Sequence, residues 1–304
     1  MIKEIIAKVE SVNVNKNIIN LNVVSMDKEY FNIRCDLELE DEFKKNKTYY
    51  FECDANYNEQ RDRIEYSLTK YENVYEYYKN DVKELEHVLN CFYNYAPMNK
   101  DDIKNEIFNY LNSIKNEVYK NITLVLLNKY LDKFLIYPAA LRFHHNYFGG
   151  LSYHTLTMLQ LSKKIMEVYT FLDSDLVYSG IILHDLMKIK EFDDPIVSEY
   201  TLEGQLIGHL NMISEEVYQT SFNLGYQDKE EVILLRHLLL AHHGIPNYGS
   251  PKRPLLAEAL LVYYIDTIDS KFSVLKEELN NTRNGRFTDN IDVVDKLKFY
   301  KPKK

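Results

Sequence analysis

The sequence predicts two kinds of structure in one chain, a small β-barrel followed by an all-helical region. Residues 1–72 contain five short segments rich in Val, Ile, Tyr and Phe, several of which alternate polar and apolar positions. Such alternation is typical of strands with one buried face. From Glu72 onward apolar residues recur every three or four positions, the period of amphipathic helices. A third observation is that His and Asp interrupt several of those apolar helices, where an unpartnered charge is unfavourable.

The five predicted strands lie within about seventy residues, which is the size of an OB-type barrel. They are IIAKVESVNV, IINLNVVSM, YFNIRC, TYYFECDANY and RIEYSLTKY. Single-stranded nucleic acid is one ligand of such barrels, so we interpret residues 1–72 as a module of that kind. Tyr30, Phe31, Tyr50 and Tyr57 are candidates for stacking on bases, and each is also compatible with a core or plain surface position.

Residues 73–304 form the second predicted domain, whose core we place at about residues 134–280. Asp101 or Asp102 can begin a helix whose apolar stripe runs from Ile103 to Val118. Another helix is predicted over residues 122–134. No Pro/Gly/Ser-rich linker marks the boundary between the two domains, and the chain has no internal repeat.

Composition and charge exclude several classes of protein. The net charge of −9 argues against a broad basic face for duplex DNA, although a narrow channel for a single strand is compatible with it. No apolar run approaches the length of a membrane span. The three cysteines have no CxxC spacing, which favours a reducing cytoplasm. Residues 271–304 carry nine Lys/Arg against five Asp/Glu, and we expect a frayed, solvated tail there.

The segment YSGIILHDLMKIK, from Tyr178 to Lys190, is the centre of the candidate site. It places His184 and Asp185 side by side within a run of Ile and Leu. On a helix their side chains lie about 100° apart, so both can reach one ion. Lys188 lies over the same surface and can meet a phosphate oxygen or balance the helix dipole.

Further His and Asp residues occupy separate apolar helices before and after this segment. They are His154, His209, the pair His242 and His243 at a helix end, and Asp266 and Asp269 one turn apart. Imidazole and carboxylate together suit a divalent transition metal, and their number indicates more than one ion. His237 lies five residues before His242 and faces elsewhere, so it is a second-tier candidate, as is Asp269.

The ordered series H…HD…H…HH…D resembles the HD-domain superfamily of metal-dependent phosphohydrolases, which hold metal inside a helical bundle. The motifs PAALRFHHNYFGGLSYHTLTML, ILHDLMKI, AHHGIPNYGSPKRPLLAEALL and YYIDTIDSKF are similar to those of the YhaM-type 3′→5′ exoribonucleases. That family joins an N-terminal OB-fold to an HD domain and uses manganese. The similarity covers about residues 134–272 in detail and the barrel in outline. Met187 and Ala241 stand where the family usually has glycine and serine.

The resemblance implies a ligand set for two divalent ions, expected to be Mn²⁺. The ligands would be His154, His184, Asp185, His209, His242, His243 and Asp266, with Asp266 preferred to Asp269 and Asp185 bridging the ions. Asp185 and Lys188 would be the catalytic residues. Substrate contacts would come from His144, His145, Gly149, Gly150 and Lys188, although a structural role for the His144–His145 pair is nearly as compatible.

The implied reaction is hydrolysis of single-stranded RNA from its 3′ end to nucleoside 5′-monophosphates by a metal-activated water. Single-stranded DNA as a second substrate and a homo-oligomeric state stay open, and no membrane partner is expected. One alternative is a phosphohydrolase acting on a small nucleotide or cyclic dinucleotide, which would leave the barrel without a clear role. The other is a catalytically idle nucleic-acid-binding adaptor.

Overall fold

The computed structural model describes residues 1–15, 18–140, 147–195, 199–244 and 250–303. The chain divides into two compact units, Met1–Asn94 and Tyr95–Lys304. Among the described residues, no helix combines the length and apolar character required to cross a membrane.

Five strands close into a barrel in the first unit, which confirms the predicted fold of this region. The strands are β1 (Ile2–Asn15), β2 (Ile18–Ser25), β3 (Tyr30–Asp36), β4 (Thr48–Asn58) and β5 (Arg63–Asn73). Their order around the barrel is β1-β2-β3-β5-β4, and only the β3–β5 pair is parallel. The predicted alternation is confirmed, since Ile19, Leu21 and Val23 on β2 all face the barrel core.

The four aromatic candidates of the barrel differ in exposure. Tyr50 is buried, with its ring stacked on that of Tyr77 at 4.2 Å, so it is not available to stack on a base. Phe31 packs against the barrel core. Tyr30 and Tyr57 are exposed. The barrel therefore presents two of the four candidate rings to solvent.

Helices make up the rest of the described chain. Two belong to the first unit, α1 (Val74–Tyr77) and α2 (Val82–Phe92), which extends that unit past the predicted boundary at residue 72. Those of the second unit are α3 (Lys100–Ser113), α4 (Glu117–Phe134), α5 (Gly150–Met166), α6 (Ser174–Leu183), α7 (Lys188–Glu191), α8 (Leu202–Leu206), α9 (His209–Asn223), α10 (Glu230–Ala241) and α11 (Ala257–Asn281).

The predicted apolar stripe from Ile103 to Val118 is not one helix. Helix α3 ends at Ser113, and the side chain of Asn116 accepts hydrogen bonds from the amides of Val118 and Tyr119 to begin α4. The apolar period continues across the break because both helices contribute to the same core. An Asn N-cap satisfies amides that would otherwise lack partners, so it is the local cause of the restart.

The second unit has its core around α6. Seven residues of this ten-residue helix are buried, and it packs against α4, α5, α10 and α11. A helix covered on several sides carries its last residues into the middle of the bundle. The His-Asp pair that follows Leu183 is therefore delivered to the interior.

The basic C-terminal segment does not form the expected frayed tail. Phe287 pairs with Tyr300 and Ile291 with Leu297 in an antiparallel arrangement, and Ile291 is buried. The ammonium of Lys301 donates hydrogen bonds to the carbonyls of Leu279 and Thr282, at 2.6 and 2.8 Å. These carbonyls lie at the carboxyl end of α11, so Lys301 caps the helix and orders the segment.

Candidate metal centre

Helix α6 stops at Leu183, and His184 is its C-cap. The chain then turns through residues 184–187 before α7 begins at Lys188, so the predicted continuous helix across YSGIILHDLMKIK is interrupted. The side chain of Asp185 is nevertheless buried in the bundle, as the apolar sequence around it predicts. The turn places His184, Asp185 and Lys188 together.

The carboxylate of Asp185 is the centre of the cluster. Its Oδ2 lies 3.3 Å from Nε2 of His184 and 3.9 Å from Nε2 of His154. Its Oδ1 lies 3.3 Å from Nε2 of His209 and 3.7 Å from Nε2 of His242. The two carboxylate oxygens therefore face two different pairs of imidazoles.

Two groups of donor atoms can each hold a metal ion, and Asp185 is common to both. One group is His154, His184 and Asp185, and the other is Asp185, His209, His242 and His243. Within each group the donor atoms lie within 4.8 Å of one another. Asp266 adjoins the first group, because its Oδ1 lies 3.3 Å from Nε2 of His154.

Helix ends set the orientation of two of the imidazoles. Nδ1 of His184 donates to the carbonyl of Ile181, and Nδ1 of His242 donates to the carbonyl of Leu239, both at 2.7 Å. A carbonyl can only accept, so Nδ1 carries the proton and the Nε2 lone pair faces the cluster. Each carbonyl lies in the last turn of a helix, where it lacks a helical partner.

A carboxylate lies beside the outer nitrogen of each of two other imidazoles. Nδ1 of His154 lies 2.7 Å from Oδ2 of Asp269, on the side of the ring away from Asp266. Nδ1 of His209 lies 2.8 Å from Oε2 of Glu191. Metal-binding histidines usually present their second nitrogen to such an acceptor. Glu191 was not among the sequence-based candidates. The one feature of the sequence that could have indicated it is its position three residues after Lys188.

The donor set fits a divalent metal. Oδ1 of Asp185 and the Nε2 atoms of His209 and His242 are buried and have no hydrogen-bond partner among the described residues. Lone pairs that face one another in a buried space are unfavourable unless a cation lies between them. Nitrogen and oxygen donors in this mixture are those of divalent transition metals.

The charges of the cluster favour the forms that bind metal. Burial alone would raise the pKa of Asp185, but Lys188 and His184 hold it well below its usual value. Burial also opposes the ionisation of Asp266, whose pKa is lowered by His154. Burial lowers the pKa of His242. Burial, together with the neighbouring His242 and His209, lowers the pKa of His243 to about 3. The carboxylates are therefore ionised and both of these imidazoles neutral.

Lys188 is the fixed cation of the cluster, whereas His154 holds a proton that a bound metal ion would displace. The Lys188 ammonium lies 2.7 Å from Oδ2 of Asp185 and donates to the carbonyl of Ala139, also at 2.7 Å. Burial lowers its pKa, but Asp185 outweighs that effect and raises it. Burial likewise opposes protonation of His154, whereas Asp266 and Asp269 raise its pKa to about 10.

The remaining sequence-based candidates lie elsewhere. His237 is outside the cluster, and its Nε2 accepts a hydrogen bond from the amide of Leu255. Gly149 is the N-cap of α5 with φ of 71°, and Gly150 is the first residue of that helix. His144 and His145 lie outside the described residues. His243, by contrast, belongs to the second donor group, where it is half-buried with its ring 4.4 Å from that of His242.

A family of known proteins is similar to this chain over the range that contains the site. The HD-domain profile matches residues 151–271, a range that contains every proposed metal ligand. That domain implies dependence on divalent metal, in agreement with the donor groups described above. The matched range begins at Leu151 and ends at Lys271, so it leaves the barrel outside.

Curated relatives match a longer part of the chain. A "3'-5' exoribonuclease YhaM" of Listeria innocua is 43% identical over 207 residues, which is 68% of this chain and 66% of the relative. The protein of the same name from Bacillus pumilus is 42% identical over 214 residues, 70% of this chain and 68% of the relative. The match thus spans about two thirds of the length of these relatives. The chain belongs to the YhaM family of HD-domain 3′-5′ exoribonucleases, as the sequence motifs predicted.

Proposed function

We propose that this chain is a metal-dependent 3′→5′ exoribonuclease that shortens single-stranded RNA and releases nucleoside 5′-monophosphates. Family membership supports the activity and the RNA substrate, because the relatives carry that name. The observation that carries the proposal in this chain is Asp185, whose two oxygens face separate groups of donors with buried, unpartnered lone pairs.

Two divalent ions, expected to be Mn²⁺, would share the site. His154, His184 and Asp266 would hold one ion, His209, His242 and His243 the other, and Asp185 would bridge them. Bound ions would supply Lewis acidity and a water molecule of lowered pKa. Seven donors exceed what one tetrahedral structural site uses, which supports the number two.

The residues of the chain contribute charge and order to this chemistry. Asp185 and Asp266 stay ionised, and Lys188 stays a buried ammonium, so a phosphodiester would meet a fixed cation. A fixed cation in a water-poor site stabilises negative charge that develops on the phosphate oxygens. Gly149 and Gly150 at the start of α5, with His144 and His145, are the proposed contacts of the RNA end.

The 3′→5′ direction is taken from the names of the relatives, and the preference for a single strand is part of our proposal. Single-stranded DNA is a second candidate substrate. Exposed Tyr30 and Tyr57 support base stacking by the barrel, which stays a prediction. The three cysteines are free, which supports a reducing cytoplasm as the place of action.

The test is an assay on single-stranded RNA labelled at its 5′ end, with Mn²⁺ added. We expect a ladder of shortened products and nucleoside 5′-monophosphates, and no cleavage of circular RNA. Asp185→Asn should reduce the rate at least about a hundredfold while the helical content is unchanged, because it removes the shared charge. Cutting of circular RNA would show an endonuclease. Turnover confined to free nucleotides or cyclic dinucleotides would favour the small-molecule phosphohydrolase instead.

A further inference from the structure

The charge of the chain is distributed unevenly between its two ends. Residues 1–94 contain 13 Lys and Arg against 19 Asp and Glu, a net charge of −6 out of −9 for the chain. Residues 296–304 contain five Lys and no acidic residue. Phosphate groups bind through Lys and Arg, and the first unit has no net positive charge to offer an RNA backbone. The C-terminal segment has the required charge.

This segment is an ordered hairpin, which we define as residues 284–303. The amide of Gly285 donates to the carbonyl of Lys301, and the amide of Thr288 donates to that of Phe299. Lys301 is used to cap α11, whereas Lys296, Lys298 and Lys303 are exposed. The ordered backbone of the hairpin restricts the positions of these lysines. RNA binding there therefore costs less conformational entropy than binding to a frayed tail.

The hairpin also presents two aromatic rings to solvent. Phe287 and Tyr300 are cross-strand partners with ring centroids 5.2 Å apart, and they are 63% and 47% exposed. Lys298 lies two residues from Tyr300, so alternation along an extended chain predicts that both project from one face. Exposed rings beside lysines are the combination that single-strand-binding proteins use for bases and phosphates.

A second exposed aromatic pair of the chain lies in surroundings of a different charge. Tyr169 and Phe171 are also exposed, with centroids 6.4 Å apart. Residues 163–175 around them carry three acidic and two basic side chains, a net charge of −1. The hairpin pair differs in its cationic surroundings, since the acidic residues of the hairpin are confined to positions 289–295 near its turn.

We propose that the C-terminal hairpin is a binding surface for single-stranded RNA, remote from the metal centre. This inference rests on the proposed exoribonuclease function, and it names where the substrate strand is held. Helix α11 connects the two places, because it carries Asp269 and ends at Asn281, about 18 Å further along its axis. We expect a long RNA to contact both places and a dinucleotide to reach only the metal centre.

The test compares long and short RNA in steady-state kinetics with the full-length protein. The hairpin variants are Phe287→Ala/Tyr300→Ala and Lys296→Gln/Lys298→Gln. With an RNA of about 20 nucleotides we expect KM to rise about tenfold for the aromatic pair, as loss of base stacking predicts. The lysine pair should also flatten the salt dependence of binding by one to two units of slope. Turnover of the short RNA should stay within about twofold of the wild type.

Matched controls are Tyr169→Ala/Phe171→Ala and Lys163→Gln, which remove exposed rings and charge from the same unit. Tyr30→Ala is not one of these controls, because it tests base stacking by the barrel separately. The inference is overturned if the hairpin variants leave KM for long RNA unchanged, or if Tyr30→Ala alone causes the loss. Sedimentation that shows a loss of self-association in the hairpin variants would assign the rings to a contact between copies, and also overturns it.

The outcomes separate this inference from the proposed function. If the wild type hydrolyses neither RNA, the proposed function is wrong, and fluorescence anisotropy with labelled RNA still reports whether the hairpin binds it. If the wild type hydrolyses both the long and the short RNA, and the hairpin variants do so with the same KM for long RNA, the proposed function stands and the hairpin surface does not.

Discussion

The ammonium of Lys188 and Oδ2 of Asp185 lie 2.7 Å apart in the interior of the bundle. The same oxygen lies 3.3 Å from Nε2 of His184, so a cation of the protein and a proposed metal-binding donor meet at one atom. Lys188 therefore competes with a metal ion for Asp185, although its charge also favours a phosphate group. These two effects predict opposite consequences for binding and for turnover.

Lys188→Gln should bind Mn²⁺ at least as tightly as the wild type and turn over RNA about a hundredfold more slowly. Removal of the ammonium frees Asp185 for metal and removes a charge that stabilises the reacting phosphate. Calorimetric titration with Mn²⁺ and kcat on a short RNA measure the two effects. Lys188→Arg keeps the charge, so its kcat should lie between those of the wild type and Lys188→Gln. A parallel loss of metal affinity and kcat would refute this role.

Glu191→Gln and Asp269→Asn should each weaken Mn²⁺ binding by about 10–100-fold, the usual cost of removing an outer acceptor from a ligating histidine. Both changes weaken the group that holds Nδ1 of His209 or of His154. Direct titration of Mn²⁺ measures the effect without reference to activity. Glu203→Gln, on the exposed surface of α8, is the control and should bind Mn²⁺ as the wild type does. Equal affinities in all three variants would show that the two carboxylates are only structural.

Gly204→Ala should lower both stability and Mn²⁺ affinity. A Cβ at this position would lie 2.4 Å from the backbone oxygen of Glu191, so the segment that holds Glu191 beside His209 must move. Overpacking of this kind costs about 1–3 kcal/mol. Gly225→Ala is the control, since Gly225 has φ of 73° with open space around it. It should reduce the melting temperature through backbone strain and leave metal binding unchanged.

Glu216→Gln should reduce the free energy of unfolding by about 1–3 kcal/mol at neutral pH, because it breaks a buried network. Oε1 of Glu216 accepts from Tyr130 and Lys190, and Oε2 pairs with Lys129, which ties α9 to α4 and α7. Burial opposes ionisation of Glu216, but Lys129, Lys190 and Tyr130 lower its pKa to about 2.

The pH dependence of that effect has a definite sign. A lowered folded-state pKa stabilises the protein above the unfolded value of 4.5, and the contribution is lost as the pH falls toward 2. The wild type and Glu216→Gln should therefore differ most in melting temperature at pH 7 and converge on acidification. A difference that is constant from pH 7 to pH 3 would exclude the charged network as its cause.

The sequence alone was sufficient for the family, the barrel and the list of candidate metal ligands. His and Asp in the middle of apolar helices are costly unless they are paired, so their positions indicate a site without any coordinates. The pattern of β2, with Ile19, Leu21 and Val23 on one side, was equally informative because a strand in a closed barrel has one buried face. Both inferences depend on local spacing within a single helix or strand.

Tertiary structure decided what local spacing cannot report. Asp266 and Asp269 lie one turn apart on the same side of α11. Only the position of the His154 ring places Asp266 beside Nε2, which faces the cluster, and Asp269 beside Nδ1 on the other side of the ring. Glu191 acquires its role from His209, which is eighteen positions away in sequence and on another helix. The hairpin is ordered because Lys301 meets the carbonyls of α11, twenty-two and nineteen positions earlier. Contacts between distant residues form only when the chain packs, so the burial and partners of these side chains follow from the fold.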